Sequence, residues 1–138
     1  MNKIVDGLQV REGMSLEAGE RVEVYYNIQK GGFSIKAIDK RNPNKGKVVA
    51  YASNVFITEA TFHLNQNKLS KILEIQRKTV YATVKGTFEH AEAIDNSLHR
   101  RGYCNPYKTG KFIDWDTQEQ IHEASEVYFY NKFFSFLK

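Results

Sequence analysis

The sequence predicts an α+β domain: a mostly antiparallel β-sheet packed around one main helix, with a β-rich C-terminal part. Three observations carry that expectation. Residues 21–64 alternate apolar and polar side chains with a period of two, broken by turn residues. Residues 65–78 (NQNKLSKILEIQRK) switch to helical spacing. The end of the chain, ASEVYFYNKFFSFL at 124–137, returns to residues that favour strands.

The elements follow in order. Residues 1–20 hold three glycines and scattered apolar residues, and read as an N-terminal arm with one short strand near Leu8–Val10. Residues 21–138 form the single domain. In RVEVYYNI, Val22, Val24, Tyr26 and Ile28 alternate against Glu23, Tyr25 and Asn27, the pattern of a half-buried strand. Gly31 and Gly32 mark a hairpin turn, and FSIKAID returns with Phe33, Ile35 and Ala37 on one face. RNPNKGK at 41–47 is a loop, because Asn-Pro, Asn and Gly crowd into seven residues.

Two more strands follow, KVVAYAS and VFITEATFHL. In the second, Phe56, Thr58, Ala60, Phe62 and Leu64 share one face, opposite Ile57, Glu59, Thr61 and His63. The helix places Leu69, Ile72, Leu73 and Gln76 on one side, with Asn65 or Asn67 as N-cap and Arg77-Lys78 at its C-terminal end. TVYATVKGTF is a strand with Val80, Ala82 and Val84 alternating, HAEAIDNSLHRRG a loop, and FIDW a short strand. The aromatic end exceeds what one edge strand should expose, so it is either core or an interface between copies.

At 138 residues the chain suffices for one packed core. Its one cysteine, Cys104, excludes an intramolecular disulfide and fits a reducing compartment. No run approaches the roughly 18 apolar residues of a membrane span, and MNKIVDGLQV lacks the apolar core of a signal peptide. A cytoplasmic protein is expected, with no membrane partner. Twenty basic against 16 acidic residues leave a net charge of +4, which suits phosphate-bearing partners without demanding them.

Catalytic signals are weak. His63, His90, His99 and His122 are dispersed without metal-ligand spacing, so no metal and no cofactor is expected. Cys104 has no partner in sequence that would activate it. Asp114 and Asp116 around Trp115 read as a strand end, and no catalytic residue is assigned. Binding is better supported. GYCNPYKTGKF at 102–112 concentrates the parts needed to grip a flat, anionic molecule. Tyr103 and Tyr107 offer ring faces, Asn105 an amide, and Arg100, Arg101, Lys108 and Lys111 cations. Arg77 and Lys78 add a second basic pair. The plainer reading is a polar turn, with Arg77-Lys78 offsetting the helix dipole.

Three stretches carry a family resemblance: YNIQKGGFSI (26–35), QRKTVYATVKG (76–86) and CNPYKTGKF (104–112). In these the chain resembles the phage anti-Thoeris sponges. That resemblance implies a protein that binds the cyclic ADP-ribose isomers made by bacterial TIR-domain proteins and holds them uncleaved, so that immunity is not triggered. It further implies homo-oligomers, action in the host cytoplasm, and capture of cyclic oligonucleotides by some members at separate sites.

The family holds its ligand with an aromatic, an asparagine and an arginine. The asparagine corresponds to Asn105. No arginine follows Arg101 here, so Lys108, Lys111 or His122, or else Arg100 or Arg101, would take that role. The aromatic is Tyr103, Tyr107 or Trp115. Nanomolar capture requires roughly −12 kcal/mol, more than one exposed turn supplies, so a second subunit is expected to close the pocket. Two readings compete: a nucleic-acid-binding accessory protein whose aromatic sheet stacks bases, and a phosphoesterase using Asp114, Asp116 or His122.

Overall fold

The computed structural model of the protein describes residues 7–27, 29–75, 80–105, 107–131 and 133–138. Its strands are β1 (Leu8–Val10), β2 (Arg21–Asn27), β3 (Gly32–Ala37), β4 (Val48–Ala52) and β5 (Val55–Leu64), then β6 (Ala82–His90), β7 (Arg100–Cys104), β8 (Phe112–Asp114), β9 (Glu123–Tyr130) and β10 (Phe133–Leu137). The helix α1 (Gln66–Ile75) lies between β5 and β6. All ten strands join one antiparallel sheet in the order β1-β4-β3-β2-β6-β5-β9-β10-β7-β8. No helix among the described residues is long and apolar enough to cross a membrane.

The sheet curls until one of its faces becomes the core. Phe33 on β3 and Phe129 on β9 are separated by four strand spacings, about 19 Å in a flat sheet. Their ring centroids lie 5.3 Å apart. Phe62 on β5 and Phe112 on β8, equally far apart in strand order, meet at 4.9 Å. Val22, Val24, Ile35, Val55, Ile57, Val84, Val127 and Phe136 fill the interior with essentially no exposure.

The curl concentrates at β5. Glu59 has a positive φ of 50°, and pairing with β6 shifts register between Thr58 and Thr61. One extra residue bends a strand and sharpens its twist. Val55 and Ile57 therefore face the core before the bulge, and Ala60 beyond it. The regular alternation expected for VFITEATFHL is thus corrected: Phe56 and Thr58 belong to the opposite face from Ala60. The register between β5 and β9 runs through the bulge, so β9 changes face with it, Val127 and Phe129 inward on one side and Ala124 beyond. Gly86 lies opposite, where a Cβ would come within 2.8 Å of the Ile57 side chain and 2.9 Å of the Thr58 carbonyl.

Contrary to the expectation from sequence, the sheet does not pack around the helix; α1 covers one side of it in a small cluster of its own. Asn65 is the N-cap, its Oδ1 accepting the Lys68 N–H at 3.1 Å. Leu69 and Ile72 bury against Tyr81 in a small cluster edged by Leu64, Ala82 and Cys104. Leu73 is half exposed. The main core draws on strands and their loops because a curled sheet of this size fills its own interior. One further correction concerns the C-terminal half: residues 100–104, expected within a loop and a turn, form β7. Of the two placements left open for the terminal aromatics, core or interface, Phe129, Phe134 and Phe136 of β9 and β10 take the core, and Tyr128 is buried too.

Candidate functional site

The stretch 102–112 begins in β7, turns, and ends in β8. Register Gly102↔Asp114, Tyr103↔Ile113 and Cys104↔Phe112 sets the faces. Gly102 and Cys104 point inward. The Phe134 ring lies directly against Gly102, where any Cβ would run into it. Cys104 Sγ is 2.8 Å from the Tyr81 hydroxyl. Burial pushes the Cys104 thiol up to about 11, so it is protonated at neutral pH and a poor nucleophile.

Asn105 organises the turn itself. Its carbonyl accepts the N–H groups of Lys108 at 3.3 Å and of Thr109 and Gly110 at 3.0 Å, and its Oδ1 accepts the Tyr107 N–H at 2.9 Å. This is an Asx turn. Gly110 closes it at φ +64°, with a Cβ there reaching 3.0 Å from Leu69 Cδ2, so the turn also packs on α1.

The outward face is where aromatics gather. Tyr103 and Trp115 meet edge to face at 5.2 Å and 73°. Trp115 N–H donates to the Arg101 carbonyl at 2.9 Å, which extends the β7–β8 ladder and puts both residues beside Tyr103. Gln118 locks the pair: its Oε1 accepts the Tyr103 hydroxyl at 3.1 Å and its Nε2 donates to the Trp115 carbonyl at 2.7 Å. Phe133 follows in register beyond Phe134↔Gly102 and pairs with Tyr130 on β9, so it faces the same way as Tyr103. Tyr130 in turn stacks on Tyr128 at 5.1 Å. Trp115 is 54% exposed, Phe133 48% and Tyr107 62%. An open aromatic strip thus runs from β9 across β10 to β8, with the exposed Arg101 on it and the exposed Lys108 and Lys111 in and after the turn. Such a surface offers ring faces for stacking and cations for an anionic group.

Residues 15–136 match the family described as Mycobacterium phage L5 gene 82 protein. The chain belongs to that family. No curated protein and no solved structure matches it. The match to the gene 82 family takes in the whole strip and every strand except β1 and the last residue of β10. It makes the chain one of a family of phage proteins.

In this gene 82 family member, the other residues singled out from sequence fall elsewhere. Arg100 lies on the core-side face, its Nε donating to Asp114 Oδ2 at 2.7 Å. Asp114 is buried, and burial raises its carboxyl; the Arg100 guanidinium and the N–H groups of Asp116 and Thr117 outweigh that and hold it below the usual carboxylate range. A carboxylate so engaged is a structural ion-pair partner. His122 lines a separate shallow cleft of about 590 Å³ with Glu59, Thr61, Glu123 and Lys138. Arg77 and Lys78 lie outside the described residues. Among the described residues no three His, Cys, Asp or Glu side chains gather closely enough to hold a metal ion.

Sequence reasoning missed Gln118 and Phe133 as members of the strip. Gln118, in the turn after FIDW with φ 62°, carries no sequence signal of its role. Phe133 was legible in principle: strict alternation in FFSFL separates Phe133 from the inward Phe134 and Phe136.

Proposed function

We propose that this protein binds and sequesters a signalling nucleotide of the cyclic ADP-ribose type, without cleaving it, and so blunts a bacterial anti-phage response. The observation that carries the reading is the juxtaposition of Arg101, Tyr103, Trp115 and Phe133 on one open face. Rings take the base by stacking, worth about 1–3 kcal/mol per base, and Arg101 with Lys108 and Lys111 meets the pyrophosphate. The oxygens of Asn105 hold the turn, and its side-chain N–H groups, which donate no hydrogen bond among the described residues, are offered to the ligand. The open strip holds a ligand from one side, so a second copy closing over Trp115 and Phe133 completes the pocket.

Trp115 is the sole tryptophan, so its fluorescence reports the site directly. Titration with a glycocyclic ADP-ribose isomer is expected to quench it with saturation, and boiling should return the ligand unchanged. Trp115→Ala should weaken binding measured by calorimetry by about 1–3 kcal/mol with the far-ultraviolet dichroism unaltered. A hydrolysed ligand would make the protein an enzyme. Quenching only by single-stranded oligonucleotide, collapsing steeply as salt rises, would make it a nucleic-acid binder. No response to any nucleotide ends the proposal.

A further inference from the structure

A second cleft lies on the outward face of the other half of the sheet. On β2, Glu23 stands directly across from Lys36 of β3 on one side and Lys85 of β6 on the other. His63 of β5 pairs with Thr83 of β6, and Lys68 comes from the first turn of α1. These side chains and Tyr25 border a cavity of about 380 Å³. That volume is at the small end of small-molecule sites.

Its charge is out of balance. Three lysines oppose one carboxylate, and only Lys85 approaches it, at 3.9 Å. Lys36 and Lys68 make no ion pair among the described residues. Lys36 is half-buried on an interior strand, where pairing with β2 and β4 fixes its backbone beside Glu23. His63 reports the same field: burial, then the charge of Lys85, lowers its affinity for a proton more than Glu23 raises it. With His63 neutral the cleft carries two net positive charges. A phosphate monoester carries about −1.5 to −2 near neutral pH and three acceptor oxygens. A diester or carboxylate carries one charge and leaves a cation over.

We propose that this cleft is a second ligand site, separate from the aromatic strip, which takes a small phosphate monoester. The phosphate sits among Lys36, Lys68 and Lys85, and the organic part lies against Tyr25. The lysines act as point charges, so the ester's phosphate is recognised by charge more than by geometry.

The test is an NMR titration of the isotope-labelled protein with AMP, adenosine and inorganic phosphate. AMP is expected to move the His63, Lys36 and Lys85 resonances, adenosine to leave them in place, and inorganic phosphate to move them at higher concentration. Lys36→Ala and the surface variant Lys68→Ala should each weaken AMP at these resonances by about tenfold. Trp115→Ala should leave that affinity unchanged, which separates this site from the strip. Equal effects of AMP and adenosine, or no shift at His63 up to millimolar AMP, would overturn the proposal. Inorganic phosphate binding as tightly as AMP would overturn the monoester assignment, and unaltered affinity in both lysine variants would overturn the role of the cations.

Discussion

Asp114 illustrates how one residue can look catalytic in sequence and be structural in the fold. Its Oδ1 accepts the Asp116 N–H at 3.0 Å, its Oδ2 accepts Arg100 Nε at 2.7 Å, and its carbonyl accepts the Gln118 N–H at 2.8 Å. The same carboxylate thus anchors the turn that presents Trp115. Asp39 plays a parallel part, held far below the usual range by hydrogen bonds from the Arg41 guanidinium and then from the N–H groups of Arg41 and Arg21. Both carboxyls bind a proton less readily folded than unfolded. Their stabilisation is therefore complete above the unfolded aspartate value of about 3.9, and is lost as pH falls from there through the lower folded values. Asp114→Asn should cost about 1–3 kcal/mol at neutral pH and make the acid loss shallower. Urea unfolding at a series of pH values checks both; an unchanged midpoint at neutral pH would show that Arg100 contributes nothing through this contact.

At the scale of elements, the bulge in β5 decides the architecture. Glu59 adopts a left-handed conformation that side chains with a Cβ rarely take, and its carbonyl accepts Arg21 Nη1 at 3.3 Å. Arg21 also reaches Thr87 Oγ1 at 3.1 Å, so one guanidinium ties the bulge to β6. Glu59 itself is exposed, and the backbone geometry is what the bend needs. Glu59→Gly should relieve the strain and raise stability by about 0.5–1 kcal/mol, seen as a higher urea midpoint with an unchanged slope. A drop in stability would mean that the carboxylate side chain, and not the backbone, secures the bend.

The whole molecule is held by contacts between strands far apart in the sheet. Phe33 and Phe129 meet across the curl, and Phe134 touches Phe62, Phe112 and Phe129 in the same interior. Phe33→Ala and Phe129→Ala should each cost about 3–5 kcal/mol. A double-mutant cycle should give a coupling of about 0.5–1.5 kcal/mol beyond area burial. Strictly additive losses would mean that the two halves of the sheet hold their curvature independently. Curling also separates the two candidate sites: the strip lies on β9, β10, β7 and β8, and the basic cleft on β3, β2, β6 and β5 beside α1.

The sequence by itself determined the local elements: the period-two runs that became β2 to β4 and the first half of β5, an asparagine cap and the Leu69–Ile72 spacing of α1, and the turn at 105–110, while the structure chose Asn65 over Asn67 as the cap. These are written in near-neighbour chemistry, where side-chain alternation, capping oxygens and left-handed glycines act over a few residues. Strand order, the bulge at Glu59 and the assignment of faces in the C-terminal half were decided only by the tertiary structure. They depend on pairings such as Gly102 with Phe134 and Glu23 with Lys85, which bring together residues remote in sequence. Arg100 and Arg101 show the consequence. As neighbours in sequence they read as one basic pair, yet strand alternation turns one toward buried Asp114 and the other outward, beside Tyr103 and Trp115.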